Sequence, residues 1–195
     1  YLALLSAVIE RQAALVAQWQ LIGFIHGVMN TDNMSIAGET IDYGPCAFMD
    51  TYHPETVYSS IDHRGRYAYQ NQPPIAHWNL AGLAQALLPL LSENEDEAVE
   101  KATAAINTFP ECFKASYTAG LGRKLGLSTV DAGDEVLGSD LLERMARNKA
   151  DFTLTFRYLS ALSQTQNDAD NHVRALFEEP AEFDQWATDW RVRLV

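Results

Sequence analysis

The sequence has little cysteine and no long apolar run. Cys46 and Cys112 are its only cysteines, which excludes a disulfide framework and favours two unpaired thiols over one bridge between them. No apolar stretch approaches the ~20 residues that cross a bilayer, and residues 1–11 lack the basic region and cleavage site of a signal peptide. These absences predict a soluble intracellular protein.

Basic residues are also scarce. The chain carries 14 Lys and Arg residues against 26 Asp and Glu residues, for a formal net charge of −12. Nucleic acids and anionic membranes attract clustered Lys and Arg, so this balance argues against either as the main partner. With 195 residues, 47% of them apolar, the chain is long enough to bury a sizeable core. Because it starts at Tyr1 inside a helical pattern, we expect a piece of a longer protein.

Apolar residues recur at helical spacing over most of the chain. Residues 2–22 form the first such segment, and Gly23 is suited to end that helix because glycine accepts the left-handed conformation. Gly120 and Gly122 are expected to break a later helix, and residues 167–171 to form a polar turn. The other helices are predicted over residues 75–91, 95–107, 110–125, 133–147, 151–164 and 180–192.

Two segments after the first helix have a different pattern. Residues 34–36 and 40–41 are short apolar patches around residues 37–39, which predicts a β-hairpin with a three-residue loop. Residues 51–74 are rich in Tyr, His, Asp, Ser and Pro without a sustained period, so we expect a long irregular segment. The predicted fold class is mainly α with one short β-hairpin.

Polar side chains concentrate between residues 23 and 45. Mg²⁺ takes oxygen ligands and is usually held by one or two carboxylates plus substrate phosphates. Asn33 and Asp42 can supply such ligands if the hairpin folds back on itself, and Asp32 is then available to orient or deprotonate a nucleophilic hydroxyl. Asp42 is followed by Tyr43 and Gly44, a sequence similar to the metal-binding Asp-Phe-Gly of protein kinases.

Two phrases carry a specific resemblance: His-Gly-Val-Met-Asn-Thr-Asp-Asn-Met-Ser-Ile at residues 26–36 and Ile-Asp-Tyr-Gly-Pro at residues 41–45. They resemble the catalytic loop of the protein-kinase-like superfamily and, much more closely, that of the selenoprotein O family, also called the YdiU family. The likeness covers roughly the first ninety residues of the chain. It continues through residues 48–50, 62–69, 72–73 and 78–87.

The resemblance implies a kinase-like fold that binds ATP in an inverted orientation and transfers AMP to hydroxyl side chains of proteins. By position, Asp32 matches the family's proton acceptor, and Asn33 and Asp42 match its ligands for Mg²⁺ or Mn²⁺, with Asp42 also on the nucleotide side. The implied partners are ATP and proteins with Ser, Thr or Tyr hydroxyls. The implied location is the cytoplasm for a bacterial protein and the mitochondrion for a eukaryotic one.

The chain also departs from the kinase pattern. Aligning His26 and Asn33 with the kinase His-x-Asp-x-x-x-x-Asn loop puts Val28 at the usual position of the base, which favours a displaced base at Asp32. A glycine-rich phosphate loop, a strand Lys and a helix Glu are not found. Residues 120–126 are glycine-rich but do not fit the loop pattern, and the family's redox-active cysteine or selenocysteine near the C-terminus is absent.

These features predict a kinase-like C-terminal lobe over residues 1–195, without the N-terminal lobe and inactive alone. Its predicted parts are a helix (1–22), the catalytic loop and metal motif (23–50), an activation-segment-like region (51–74) and a helical body (75–195). The alternatives are a non-catalytic pseudokinase or interaction domain, favoured by Val28, and a conventional protein kinase.

Each candidate residue also has a structural alternative. Asp32 and Asn33 are typical turn residues that bond to local backbone, and Asp42 can cap the turn before Pro45. His26 is expected to hold loop carbonyls, and Trp78 to lie in the core. A helical stripe near the C-terminus is expected to remain exposed; it consists of Phe183, Trp186, Trp190 and Val192.

Overall fold

The computed structural model describes residues 1–129, 131 and 133–194, and these are mainly helical with one small sheet. The two strands, β1 (Phe24–Ile25) and β2 (Ala47–Phe48), pair antiparallel. This confirms a mainly α fold class, while the kinase-like lobe stays a prediction. The helices are α1 (Leu2–Ile22), α2 (Gln72–Leu91), α3 (Glu95–Ile106), α4 (Phe109–Lys124), α5 (Asp134–Arg147), α6 (Phe152–Leu159), α7 (Asp170–Arg174) and α8 (Pro180–Arg193).

Helix α1 is the central element and is packed by α2, α3 and α4. It ends at Gly23, whose φ of 70° is the left-handed conformation predicted for that position. Gly120 lies inside α4 where that helix meets α1, and a Cβ atom there would stand 2.1 Å from Leu21 Cδ1. The prediction that Gly120 and Gly122 break a helix is therefore wrong. At Gly120 the missing side chain lets the two helices approach.

The C-terminal helices differ from the prediction between residues 160 and 174. Helix α6 ends at Leu159 rather than at residue 164, and residues 170–174 form α7 where a polar turn was expected to continue to residue 171. Beyond the end of α6, the Asn167 amide donates to Ser163 Oγ at 2.9 Å. A side chain that bonds locally offers the backbone an alternative to the helix.

The predicted hairpin over residues 34–36 and 40–41 is wrong in its extent. Only a single antiparallel bridge joins Met34 to Thr40, and the paired strands are instead β1 and β2. Two side chains of α1 bond to this turn. Gln12 Nε2 donates to Ser35 O at 2.5 Å, and Trp19 Nε1 donates to Thr40 Oγ1 at 3.0 Å.

The buried side chains form two clusters. One lies between α1, α2 and α3, and the other is an aromatic cluster around α4 to α8. Trp186 and Phe183 are fully buried in the aromatic cluster, and Trp190 donates through Nε1 to Leu125 O at 2.8 Å. The expectation of an exposed C-terminal stripe is therefore wrong for these three residues and holds only for Val192, which is 74% exposed.

Three further expectations can be compared with the structure. Cys46 and Cys112 are free, half-buried thiols, as predicted. Trp78 is 59% exposed rather than in the core, and the Arg66 guanidinium lies 4.9 Å from the centre of its ring. Among the described residues, no helix is both long and apolar enough to span a bilayer.

Candidate active site

The short sheet closes a loop that contains all the predicted site residues. Strand β1 pairs Phe24 with Phe48 and Ile25 with Ala47. The intervening residues 26–46 therefore leave and return at neighbouring points. This segment, here called the site loop, carries Asp32, Asn33 and Asp42. The sheet therefore makes this segment fold back on itself, which the predicted hairpin was expected to do.

His26 joins the two halves of the site loop. Its ring is fully buried against Trp19, with 5.4 Å between ring centres. Nε2 lies 2.8 Å from Ile41 O, and Nδ1 lies 3.4 Å from the backbone nitrogen of Val28. An Nε2–H tautomer satisfies both contacts, because Nε2 donates to the carbonyl and Nδ1 accepts from the N–H. His26 thereby holds the residue before Asp42, which agrees with its predicted scaffold role.

A buried glutamine fixes the base of the loop from the side of α2. Gln72 Oε1 accepts from the backbone N–H of His26, and Gln72 Nε2 donates to Phe24 O, both at 2.9 Å. Gly27, with φ of 84°, adds a close approach, since a Cβ atom there would stand 2.9 Å from Pro45 Cγ. Sequence reasoning missed Gln72. Residues 72–73 were included in the family resemblance, but nothing in the sequence assigned this residue a partner.

Asp32 and Asn33 lie in a single turn of 3₁₀-helix, Thr31–Asn33. The Asn33 amide Nδ2 donates to Val28 O at 3.0 Å, so this side chain bonds to local backbone as the structural alternative predicts. Among the described residues, no group donates to Asn33 Oδ1. Asp32 is exposed to solvent. Val28, which the kinase alignment predicts at the position of the base, contributes only backbone groups to these contacts, and its side chain has no proton to exchange.

Asp42 has an unusual backbone conformation. Its φ is 54°, a left-handed value that Asp and Asn tolerate better than most residues. Its carbonyl accepts from Gly44 N at 2.8 Å, which makes a tight turn toward Pro45. The carboxylate is on the exposed side of the loop. Asp42 therefore forms the predicted turn and still presents its charge to solvent.

The residue types at Asn33 and Asp42 are those that a hard divalent cation binds. Asn33 Oδ1 is an oxygen acceptor whose amide nitrogen is already engaged, and the Asp42 carboxylate has no ion-pair partner in the described part of the chain. Within residues 1–129, 131 and 133–194, no cluster of three or more His, Cys, Asp or Glu side chains is arranged to hold a metal. A cation at Asn33 and Asp42 would therefore need oxygen atoms from a substrate as well, as Mg²⁺ commonly does.

Residues 51–71 run beside the site loop and are mostly irregular, as predicted. Tyr67 anchors the segment to the loop, because its hydroxyl donates to Asn30 Oδ1 at 2.7 Å. Asp62 shapes the turn before it and accepts backbone N–H bonds from Arg66 at 2.9 Å and Tyr67 at 2.8 Å. Burial acts to raise the pKa of the Asp62 carboxyl, but these N–H bonds outweigh it and lower that pKa.

Tyr69 anchors the same segment to the end of α1. Its hydroxyl donates to Gln20 O at 2.6 Å, and Gln20 Nε2 donates back to Tyr69 O at 2.7 Å. Burial raises the pKa of the Tyr69 hydroxyl well above its usual value, so it stays a neutral donor. Neither partner was singled out from the sequence, because a Gln on an apolar helix face has no motif around it.

Two more buried amides clamp the site loop from below. Asn79 of α2 donates through Nδ2 to Met29 O at 2.9 Å, and Gln12 of α1 donates to Ser35 O at 2.5 Å. These contacts lie on either side of Asp32 and Asn33. The catalytic role of Asp32 and the ligand roles of Asn33 and Asp42 stay predictions. What the structure adds is one braced loop that carries all three.

Comparison with known proteins identifies the family. The family described as "Protein adenylyltransferase SelO" matches residues 1–195. A relative from Rhodopseudomonas palustris (strain BisB5), named "Protein nucleotidyltransferase YdiU", is 61% identical over 194 residues, which are 100% of this chain and 39% of the relative. A protein of the same name from Methylorubrum extorquens (strain PA1) is 61% identical over 199 residues, covering 100% of this chain and 40% of the relative.

A third relative, from Bradyrhizobium diazoefficiens, has the same name and is 59% identical over 194 residues, again 100% of this chain and 39% of the relative. The chain therefore spans about two fifths of the length of these curated relatives. Because the family match extends from the first residue to the last, the chain belongs to the SelO family of protein adenylyltransferases.

Proposed function

We propose that the intact protein containing this chain is a protein adenylyltransferase that transfers AMP from ATP to hydroxyl side chains of proteins. The observation that carries the proposal is the site loop, in which β1, β2 and His26 hold Asp32, Asn33 and Asp42 in one segment, with Asp32 and Asp42 exposed. The family match supplies the reaction class. Because the chain spans about two fifths of its relatives, we assign the activity to the intact protein and expect the chain alone to be inactive.

The proposed reaction joins an acceptor oxygen to the α-phosphorus of ATP and breaks the bond to the leaving pyrophosphate. Asp32 accepts the proton of the attacking hydroxyl, which suits an exposed carboxylate without an ion-pair partner in the described residues. Asn33 Oδ1 and the Asp42 carboxylate would hold Mg²⁺ or Mn²⁺. A bound divalent cation would neutralise charge on the phosphates.

The proposed partners follow from this reaction. They are ATP and proteins that present Ser, Thr or Tyr hydroxyls, with no role for nucleic acid or membrane. The relatives compared above come from bacteria, and we place the proposed activity in the bacterial cytoplasm. The kinase-like arrangement of the chain is part of the same proposal, supported by the His-Gly turn, the Asp32-Asn33 pair and the Asp-Tyr-Gly turn meeting in one loop.

Labelled nucleotides test the reaction class directly. The intact protein is incubated with an acceptor protein and with ATP labelled either at the α-phosphate or at the γ-phosphate, in the presence of Mg²⁺ or Mn²⁺. We expect protein-bound label from the α-position only. Label from the γ-position only would show a conventional kinase. Absence of both, with no nucleotide binding by calorimetry, would favour the pseudokinase alternative.

A further inference from the structure

A cluster of cationic and aromatic side chains lies beside the site loop. The Arg66 guanidinium is 4.9 Å from the ring centre of Trp78 and 5.7 Å from that of Tyr67. Arg64 belongs to the same turn as Arg66, and both arginines are exposed. This cluster, here called the arginine face, consists of Arg64, Arg66, Tyr67 and Trp78. None of the four residues has a part in the reaction as proposed above.

Two contacts attach the arginine face to the site loop close to Asp32. The Tyr67 hydroxyl donates to Asn30 Oδ1 at 2.7 Å, and Asn30 directly precedes the 3₁₀ turn that carries Asp32. Helix α2, which carries the tryptophan of the face, holds the same part of the loop through Asn79, whose amide donates to Met29 O at 2.9 Å. The face therefore adjoins the candidate base on the N-terminal side of that turn.

One carboxylate fixes the turn that carries both arginines. Asp62 accepts N–H bonds from the backbone of Arg66 at 2.9 Å and of Arg64 at 3.4 Å. Gly65, between the arginines, has a φ of 67°, a left-handed conformation that glycine adopts without strain. The Asp62 carboxylate thus orients backbone groups and makes no ion pair with either guanidinium. The turn carries two positive charges against one negative charge.

Both guanidinium groups lack an acidic partner, although the chain has 26 acidic residues. Among the described residues, neither Arg64 nor Arg66 forms an ion pair, whereas five arginines near the C-terminus do. A guanidinium can form two parallel hydrogen bonds with one carboxylate. The turn can therefore bind carboxylates from outside the chain. The paired arginines are Arg144, Arg147, Arg174, Arg191 and Arg193.

The residue types of the arginine face suit a protein segment as the ligand. Arg, Tyr and Trp are enriched in protein interfaces and supply much of their binding energy. Small ligands usually bind in concave sites, whereas both arginines are exposed and Trp78 has more than half of its surface in solvent. The two aromatic rings contact the guanidinium of Arg66, which limits its motion and leaves its N–H edge for hydrogen bonds.

We propose that the arginine face binds acidic side chains of the acceptor protein next to the hydroxyl that receives AMP. Arg64 and Arg66 pair with carboxylates of the acceptor, and Trp78 packs against its chain. The hydroxyl then reaches Asp32 in the adjoining loop. These are specificity residues, which select the acceptor and take no part in proton transfer. The selection of acceptors rests on the proposed adenylyl transfer, whereas the binding of an acidic segment does not.

Peptide binding to the intact protein tests the arginine face without ATP. The probes are two labelled peptides with one central serine, flanked by aspartates in the first and by asparagines in the second. Fluorescence anisotropy should show about tenfold tighter binding of the aspartate peptide, because two exposed ion pairs together contribute about that much. Added salt should reduce the difference. Equal binding of the two peptides, or binding of neither, would overturn the proposal.

Substitutions locate the preference on the protein. Arg66→Gln should remove most of it, Arg64→Gln should lower it, and Trp78→Ala should weaken it because the ring no longer holds the guanidinium. Arg157→Gln is the matched control, since Arg157 is an exposed arginine on α6 without an ion pair among the described residues. Urea unfolding checks that each variant is folded. An unchanged preference in both turn variants, or an equal loss in the control, would contradict the proposal.

Nucleotide binding separates the acceptor from ATP, the other anion of the reaction. Calorimetry should give the same affinity for ATP and Mg²⁺ in Arg66→Gln as in the unaltered protein. The reason is that the face joins the loop at Asn30, whereas His26 holds the residue before Asp42 in the other half. A weaker affinity for ATP would assign Arg66 to the nucleotide phosphates and reject its role toward the acceptor.

The transfer assay tests the selection of acceptors separately. With the aspartate peptide as acceptor, Arg66→Gln should raise the KM for the peptide several-fold and leave kcat and the KM for ATP unchanged. An unchanged KM for the peptide would reject the role in selection. Complete absence of transfer by the unaltered protein to any acceptor would reject the proposed function and leave the peptide-binding result standing.

Discussion

The site loop and the aromatic cluster around α4 to α8 are held in place by different forces. Single hydrogen bonds from buried polar side chains position the loop: His26 to Ile41, Gln72 to Phe24 and Asn79 to Met29. The aromatic cluster depends on buried apolar area, with Trp186 and Phe183 both fully buried. Area burial tolerates small shifts, whereas a hydrogen bond fixes one atom against another. Substitutions in the loop should therefore alter chemistry, and substitutions in the cluster should alter stability.

Asp42→Gly should distinguish the two regions most clearly, because it should abolish transfer without changing stability. Glycine accepts the φ of 54° without strain, so only the carboxylate is lost. We expect AMP transfer to fall below detection while the midpoint of urea unfolding stays unchanged. Glu39→Ala is the control, because Glu39 is an exposed acid in the same loop. Transfer at the unaltered rate would remove Asp42 from the site.

Asp32→Asn should lower the transfer rate by a factor of about 10² to 10⁴, the range for a lost general base. The substitution preserves size and removes only the proton acceptor. Nucleotide affinity, measured by calorimetry on the same variant, should stay as it was. A rate within threefold of the unaltered protein would show that another group takes the proton.

Trp186→Ala should have its main effect on stability rather than on transfer activity. Its ring is fully buried, stacks on Trp190 at 5.6 Å and donates to Leu137 O at 2.9 Å. Truncation should lower the free energy of unfolding by about 3–5 kcal/mol. Trp78→Ala, at a ring that is 59% exposed, should cost no more than about 1 kcal/mol. Equal losses at the two tryptophans would contradict the assignment of stability to the aromatic cluster.

His26→Phe should change both stability and transfer activity, because His26 is buried and also braces the loop. Phenylalanine keeps a ring against Trp19 but cannot donate to Ile41 O. We expect a loss of stability of about 1–3 kcal/mol from the unpaired carbonyl and, in the same variant, a lower kcat for AMP transfer. A stability loss without any change in kcat would make His26 a core residue only.

Lys124 gives an expected effect that depends on pH. Burial lowers the pKa of its ammonium group to about 8, although Nζ donates to Leu21 O at the end of α1. A group with a lowered folded pKa binds fewer protons in the folded state than in the unfolded state, so stability rises with pH above about 8. Lys124→Met should abolish that rise.

The measurement is urea unfolding at several values between pH 7.5 and pH 9.5, comparing the variant with the unaltered protein. This window stays below the ordinary pKa of tyrosine, because Tyr69 and Tyr117 are buried and their raised pKa values would reduce stability at higher pH. Parallel curves for the two proteins would show that Lys124 does not titrate there.

Sequence reasoning placed most helices because their signals are local. The ends of α1 and α5 were predicted to within one residue, since Gly23 and the apolar spacing are read from the chain itself. Errors arose where distant groups compete. Gly120 did not break α4 because it packs on Leu21, and the hairpin at Met34 shrank to one bridge where Gln12 takes the Ser35 carbonyl.

The site shows the same division. The order of residues between His26 and Pro45 indicated Asp32, Asn33 and Asp42 and the family to which the chain belongs. The supporting amides Gln12, Gln72 and Asn79 were harder to interpret because each is a single polar residue on a helix. Their partners are loop backbone atoms at least 23 positions away. A side chain's bond to distant backbone leaves no periodic pattern in the sequence.

By itself the sequence determined the mainly helical class, the family and the identity of the candidate site residues, because helical period and an ordered motif are properties of neighbouring positions. Only the tertiary structure decided that β1 and β2 close the site loop, and that His26 joins its halves. It also decided that two amides from different helices, Gln12 and Asn79, bond to the backbone of that loop. These features are relations in space between distant residues, and packing of the whole chain creates them.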